Sequence, residues 1–188
     1  MNRVMKRVIK WNAARYEREY SHPLTVSLLR EEYTEWLTAT EAVDKLDGLC
    51  DLVYVAMGAI WKADLEVESV DEAQEYAANI IEKHMEVGQF WPGHYISTYL
   101  DIMEYDNEFP LVESLCLIIT AALTEMSGLG LSTEECVDAL LIVCDANDTK
   151  TITKTASDVK ANVDKGVYFV PPEAKLSLLL EKANATLN

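Results

Sequence analysis

Positive charge is scarce in this chain. Sixteen Lys and Arg stand against thirty-two Asp and Glu, for a net charge of −16. Such a surface excludes general affinity for nucleic acid polymers or anionic membranes. It leaves room for single nucleotides, which a few local cations and a metal can hold. Histidine is scarcer still: His22, His84 and His94 are scattered, so no His-based metal site is suggested. The four cysteines, Cys50, Cys116, Cys136 and Cys144, show no C-x-x-C spacing and sit mostly in apolar helical runs. They read as buried thiols in a reducing compartment rather than as disulfides or zinc ligands. No 18-residue apolar run occurs, and the N-terminus has basic residues without a signal-peptide core, so a cytoplasmic protein is expected. No strand pattern stands out either. Helical periodicity covers well over half the chain, and a single all-α domain over residues 1–188 is expected.

What is there centres on Leu28 to Trp61. On a helix turning about 100° per residue, Leu28, Leu29, Tyr33, Trp36 and Val43 form an apolar arc. Glu32 falls within that arc, Glu35 at its border, and Glu31 points away. After a short polar link near Thr38 to Val43, a second helix carries Asp44, Asp47 and Asp51 at i, i+3 and i+7, on one side. From Leu52 to Trp61 that helix is uncharged and apolar nearly all round, which marks it as buried. So short a link makes the two helices antiparallel neighbours, bringing Glu32 and Glu35 across from Asp47 and Asp51. Carboxylates aimed at one interior point repel and raise one another's pKa. A divalent cation of the magnesium type resolves that conflict with oxygen ligands. Glu31, Glu41 and Asp44 read as solvated.

Glu32-x-x-Glu35 followed by Asp51 at the mouth of a Leu-Val-Tyr-Val helix resembles the MazG-like family of all-α nucleoside triphosphate pyrophosphohydrolases. That family carries E-x-x-E and then E-x-x-D on two antiparallel helices, binds magnesium, and cleaves an NTP to NMP and pyrophosphate. The resemblance implies catalysis and metal ligation by Glu32, Glu35 and Asp51. The chain departs from the pattern at Gly48, where an acid is expected; Asp47 is the candidate substitute as a metal ligand. Gly48 would then leave room for substrate or for a facing side chain.

In order along the chain, helices are expected from Asn2 to Tyr20, then the central pair. A fourth follows from a capping box at Ser69-Val70-Asp71-Glu72 to Glu86. Basic residues Arg3, Lys6, Arg7, Lys10, Arg15 and Arg18 on the first helix read as partners of nearby acids, and Trp11 as core. The aromatic and turn-rich stretch from Val87 to Pro110 reads as loop, short helix (Tyr95 to Glu104), loop. It is taken as an insertion packed on the core rather than a lid or a subunit contact. Further helices are expected over Leu111–Met126, ended by Gly128 and Gly130, and from a second capping box at Ser132 through Val143. These two suggest a repeat of the first hairpin layout. Asn147-x-x-Lys150 then matches a motif of phage-type members of the same family, implying Asn147 as a polar contact and Lys150 as a phosphate contact. Lys154 and Lys160 follow, then an extended segment over Gly166–Pro172 and a last helix from Glu173 to Ala185.

The expected architecture is therefore a helical bundle of the MazG-like type with an extra helical insertion. The expected activity is Mg²⁺-dependent hydrolysis of a (deoxy)nucleoside triphosphate, with Mn²⁺ as substitute metal. The resemblance implies a homodimer or homotetramer serving nucleotide-pool control. The competing expectation is a non-catalytic helical nucleotide-binding or interaction protein with a relic acidic site.

Overall fold

The computed structural model describes residues 1–86, 91–105, 110–152 and 163–186. It is an all-α bundle of eight helices among these residues: α1 Asn2–Ala13, α2 His22–Thr38, α3 Ala42–Lys62, α4 Val67–Glu86, α5 Pro92–Tyr105, α6 Leu111–Gly128, α7 Thr133–Asp148 and α8 Glu173–Thr186. A two-residue antiparallel pairing, β1 Thr151–Ile152 with β2 Val163–Asp164, lies between α7 and α8.

The bundle is built around α3. Leu46, Leu49, Leu52, Val53, Ala56, Met57 and Ile60 are all buried, because α1, α2, α6, α7 and α8 all pack against it. Complete burial of such a side chain contributes about 1.5–3 kcal/mol, so α3 anchors every element that carries a site residue. The α2–α3 hairpin is the most intimate pairing, closed as the short link requires. Gly48 lies at its crossing: a Cβ there would meet Cα and Cβ of Trp36 at 3.0 Å. The space at Gly48 is therefore taken by a facing residue of α2, not by substrate.

The second core helix, α6, packs against α3, α4 and α5. Among the described residues it is the one helix long and apolar enough to cross a membrane by length and composition, and its Leu115–Ile119 stretch is buried in this core. The expected repeat of the hairpin layout by α6 and α7 is not what forms. They touch only lightly, since α7 packs chiefly on α1, α3 and α8. The insertion helix α5 packs on α2 and α6 as expected. Arg30 of α2 ties it down through Glu104 at 2.9 Å and through Asp101. Its flanks at 87–90 and 106–109 lie outside the described residues.

Several helix ends differ from expectation. Helix α1 stops at Ala13, not Tyr20, and the chain leaves it in a turn where the Asn12 carbonyl accepts from both Arg15 and Tyr16. Helix α4 starts at Val67, ahead of the Ser69 capping box, with the Val70 N–H already bonded to the Glu66 carbonyl at 3.1 Å. The second capping box does form: Ser132 and Glu135 cap α7 reciprocally. That helix runs beyond Val143 to Asp148, so Asn147 sits in its last turn. The 166–172 segment is not fully extended, since the Phe169 N–H bonds the Gly166 carbonyl at 2.8 Å. Lys154 and Lys160 lie outside the described residues.

Candidate functional site

Helices α1, α2, α3 and the end of α7 enclose a cleft of about 400 Å³. Glu32, Asp51, Asn147 and Lys150 all line it, together with Trp11, Tyr16, Tyr54 and Glu31. Four of the six expected site residues thus meet in one cavity. Two of those come from a part of the chain about a hundred residues away from the acidic motif.

Each is positioned for a traceable reason. Glu32 is half-buried because it shares a helix face with Leu29 and Trp36, both buried against α3. Asp51 is half-buried too, flanked by Cys50 and Leu52 in the core. Asn147 is held at the wall of α1 by the Trp11 indole N–H, which donates to its carbonyl at 2.8 Å. That bond also fixes Trp11 as a buried wall of the cleft, in keeping with its reading as core. Lys150 follows one turn later. Its N–H bonds the Asn147 carbonyl at 3.1 Å, and its own carbonyl accepts from Arg15 at 3.3 Å. Arg15 in turn lies over the Trp11 ring, 4.4 Å from its centroid. The basic side of α1 pairs with acids as expected at Arg7, which reaches Asp145 at 2.9 Å and Asp148 at 2.6 Å.

Charge in the site is strained. Burial raises the Glu32 carboxyl well above the usual carboxylate range, with Asp51, Glu35 and Glu31 adding repulsion and Lys150 opposing it. Asp51 is raised by burial as well, with Glu35 and Glu173 adding and Lys150 and Lys165 relieving. Glu35 is exposed at the border of this pair, as its place on the helix implies. Asp47 lies one turn before Asp51 and outside the cleft lining. Burial, Asp51 and Glu173 push it up to about 7, and its Oδ1 is buried without a hydrogen-bond partner. Asp51 therefore shares its surroundings with acids from three helices: Glu32 and Glu35 of α2, Asp47 of α3 itself, and Glu173 of α8.

Among the described residues no three His, Cys, Asp or Glu side chains stand close enough together to hold a metal ion as they are. The donor chemistry nonetheless fits a hard cation. All the candidates are carboxylates, their mutual repulsion is what a divalent cation relieves, and the Asp47 oxygen is unsatisfied.

Three contributors escaped the sequence reading. Glu173, at the start of α8, and Lys165, beside β2, are remote in sequence and carry no recognisable spacing. Tyr54 was hidden inside an apolar run. It is 8% exposed, lines the cleft one turn after Asp51, and its hydroxyl is buried without a partner, so burial drives its pKa upward. Glu31, read as pointing away, is exposed but stands on the cleft's rim. No protein-family model, no curated protein and no solved structure matches the chain.

Proposed function

We propose that this protein is a metal-dependent nucleoside triphosphate pyrophosphohydrolase, producing a nucleoside monophosphate and pyrophosphate. The observation that carries the reading is the meeting of Glu32 and Asp51 with Asn147 and Lys150 around one cleft. Carboxylates that repel each other and a lysine that tempers them are what a magnesium-bound polyphosphate would satisfy. A bound Mg²⁺ or Mn²⁺ would neutralise the triphosphate and lower the pKa of a coordinated water.

The chain's own residues do the rest. Glu32, Glu35 and Asp51 would hold the cation, with Asp47, outside the cleft lining, available one turn before Asp51. Lys150 contacts the phosphates as a mobile point charge. Asn147 and the aromatic wall of Trp11, Tyr16 and Tyr54 bound the remainder of the cleft, where the nucleoside lies. Glu31 or Glu35 accepts the proton of the attacking water. Its oxygen bonds to the α-phosphorus while the bond from that phosphorus to the bridging oxygen breaks, and the electron pair departs with pyrophosphate. Nucleotide-pool control in the cytoplasm is the corresponding role, with a deoxynucleotide as the favoured substrate.

The test is incubation of the purified protein with a panel of NTPs and dNTPs plus Mg²⁺, with detection of released pyrophosphate. Turnover of at least one nucleotide is expected. A protein that binds a nucleotide without cleaving it would instead support the sensor reading.

A further inference from the structure

The β1–β2 pairing sets a register in which Thr151 faces Asp164 and Ile152 faces Val163. Carried one step outward, the same register sets Lys150 opposite Lys165. Like charges directly opposite each other in a ladder are destabilising. In a chain with only sixteen basic residues, this juxtaposition asks for an anion. Both ammonium groups also lie over a single aromatic ring. Lys150 Nζ is 5.9 Å and Lys165 Nζ 5.2 Å from the Phe169 centroid.

The platform under them is anchored. The Gly166–Phe169 turn presents the ring, and the Val170 N–H bonds Thr149 Oγ1 at 3.0 Å, next to Lys150. Thr149 Oγ1 in turn donates to the Ala146 carbonyl of α7 at 2.7 Å. Lys150 lines the cleft and Lys165 does not. The pair therefore has one member in the cleft and the other outside its lining, where Asp47 and Glu173 also lie. Both lysines act electrostatically on Asp47 and on Asp51.

We propose that Lys150 and Lys165, paired across the ladder on the Phe169 ring, form a clamp for the pyrophosphate end of the substrate. This places the nucleoside in the cleft and directs the leaving pyrophosphate past Asp51 towards Lys165. The inference rests on the pyrophosphohydrolase reading and adds a binding residue and a direction to it. In the ligand-free protein the two lysines balance Asp47 and Asp51. With ligand bound, the lysines turn to phosphate oxygens, and the carboxylates are left to the cation.

The experiment is isothermal titration of the full chain in Mg²⁺ buffer with inorganic pyrophosphate, and separately with a panel of nucleoside monophosphates. Wild type, Lys165→Ala and Lys165→Arg are compared. Loss of one charge-assisted contact is expected to weaken pyrophosphate binding about tenfold in Lys165→Ala, with nucleoside monophosphate affinity unchanged and pyrophosphate affinity restored in Lys165→Arg. Lys165 is exposed, and an unchanged melting curve verifies that the variants fold. If Lys165→Ala binds pyrophosphate as wild type does, or loses both ligands equally, the clamp is refuted while wild-type cleavage of an NTP leaves the function standing. If wild type does not bind pyrophosphate the clamp is refuted, and if it also cleaves no NTP the reading falls with it.

Discussion

Gly48 offers the sharpest test of how the site is built. A methyl group added there would stand 3.0 Å from both Cα and Cβ of Trp36 and 3.1 Å from its backbone nitrogen. Two of those atoms are backbone, so no flexible side chain can swing aside; α2 itself must move by a few tenths of an ångström. Replacing a mid-helix glycine by alanine gains about 1 kcal/mol of helix propensity. Overpacking a well-filled contact costs roughly 1–3 kcal/mol. Gly48→Ala should therefore be net destabilising by about 1 kcal/mol, a fall in Tm of roughly 2–4 °C for a chain of this size. Gly128→Ala is the control, because a Cβ at Gly128 meets nothing within 4 Å; at the last position of α6 it keeps a smaller propensity gain with no overpacking to offset it. Thermal and urea melts of the two variants check this. Equal stabilisation by both would refute the claim that Gly48 exists for the α2–α3 crossing. Gly48→Glu, which would supply the acid of the MazG-like pattern that the sequence resembles, should lower any turnover, since its side chain would have to part the two helices that hold Glu32 and Asp51.

Three further outcomes follow from the same geometry. Asp51→Asn should abolish pyrophosphate release yet leave the metal-free fold as stable as wild type or more so, because it removes a half-buried charge that repels Glu32; unfolding of this variant alone, with Glu32→Gln folded, would make Asp51 structural. Lys150→Ala should raise KM more than it lowers kcat, since the proposed phosphate contact would be made in ground and transition states alike; wild-type kinetics would return it to an ordinary surface role. Glu32, Asp47 and Asp51 bind protons more tightly in the folded chain than in the unfolded one, so without divalent cations stability is greatest below the ordinary carboxylate range of about 4 and falls as pH rises through Asp47's value of about 7. Added Mg²⁺ should recover that loss at pH values above this window, and a metal-free Tm that instead climbs over the same interval would contradict the raised carboxyls.

The acidic pair was legible because its surroundings were. Glu32 interrupts an apolar arc and Asp51 opens an uncharged run, so sequence periodicity alone sets both against the core. Asn147 and Lys150 were legible only as a motif; the chain alone gives no reason for α7 to end at the cleft beside α1 and α3. The length of α1 was not legible, because Val4, Val8, Trp11 and Arg15 keep helical spacing past the point where Asn12 turns the chain. Gly48 suggested a steric reason without revealing that Trp36 supplies it. Glu173 and Lys165 were invisible, since their contribution depends on where α8 and the short β ladder pack.

The central claim is tested most directly by product analysis in ¹⁸O-labelled water. Wild-type protein with Mg²⁺ and its preferred nucleotide would be followed by ³¹P NMR. Attack at the α-phosphorus predicts pyrophosphate and a nucleoside monophosphate, with the label in the monophosphate and none in pyrophosphate. Orthophosphate with a nucleoside diphosphate, or label in the pyrophosphate, would contradict it.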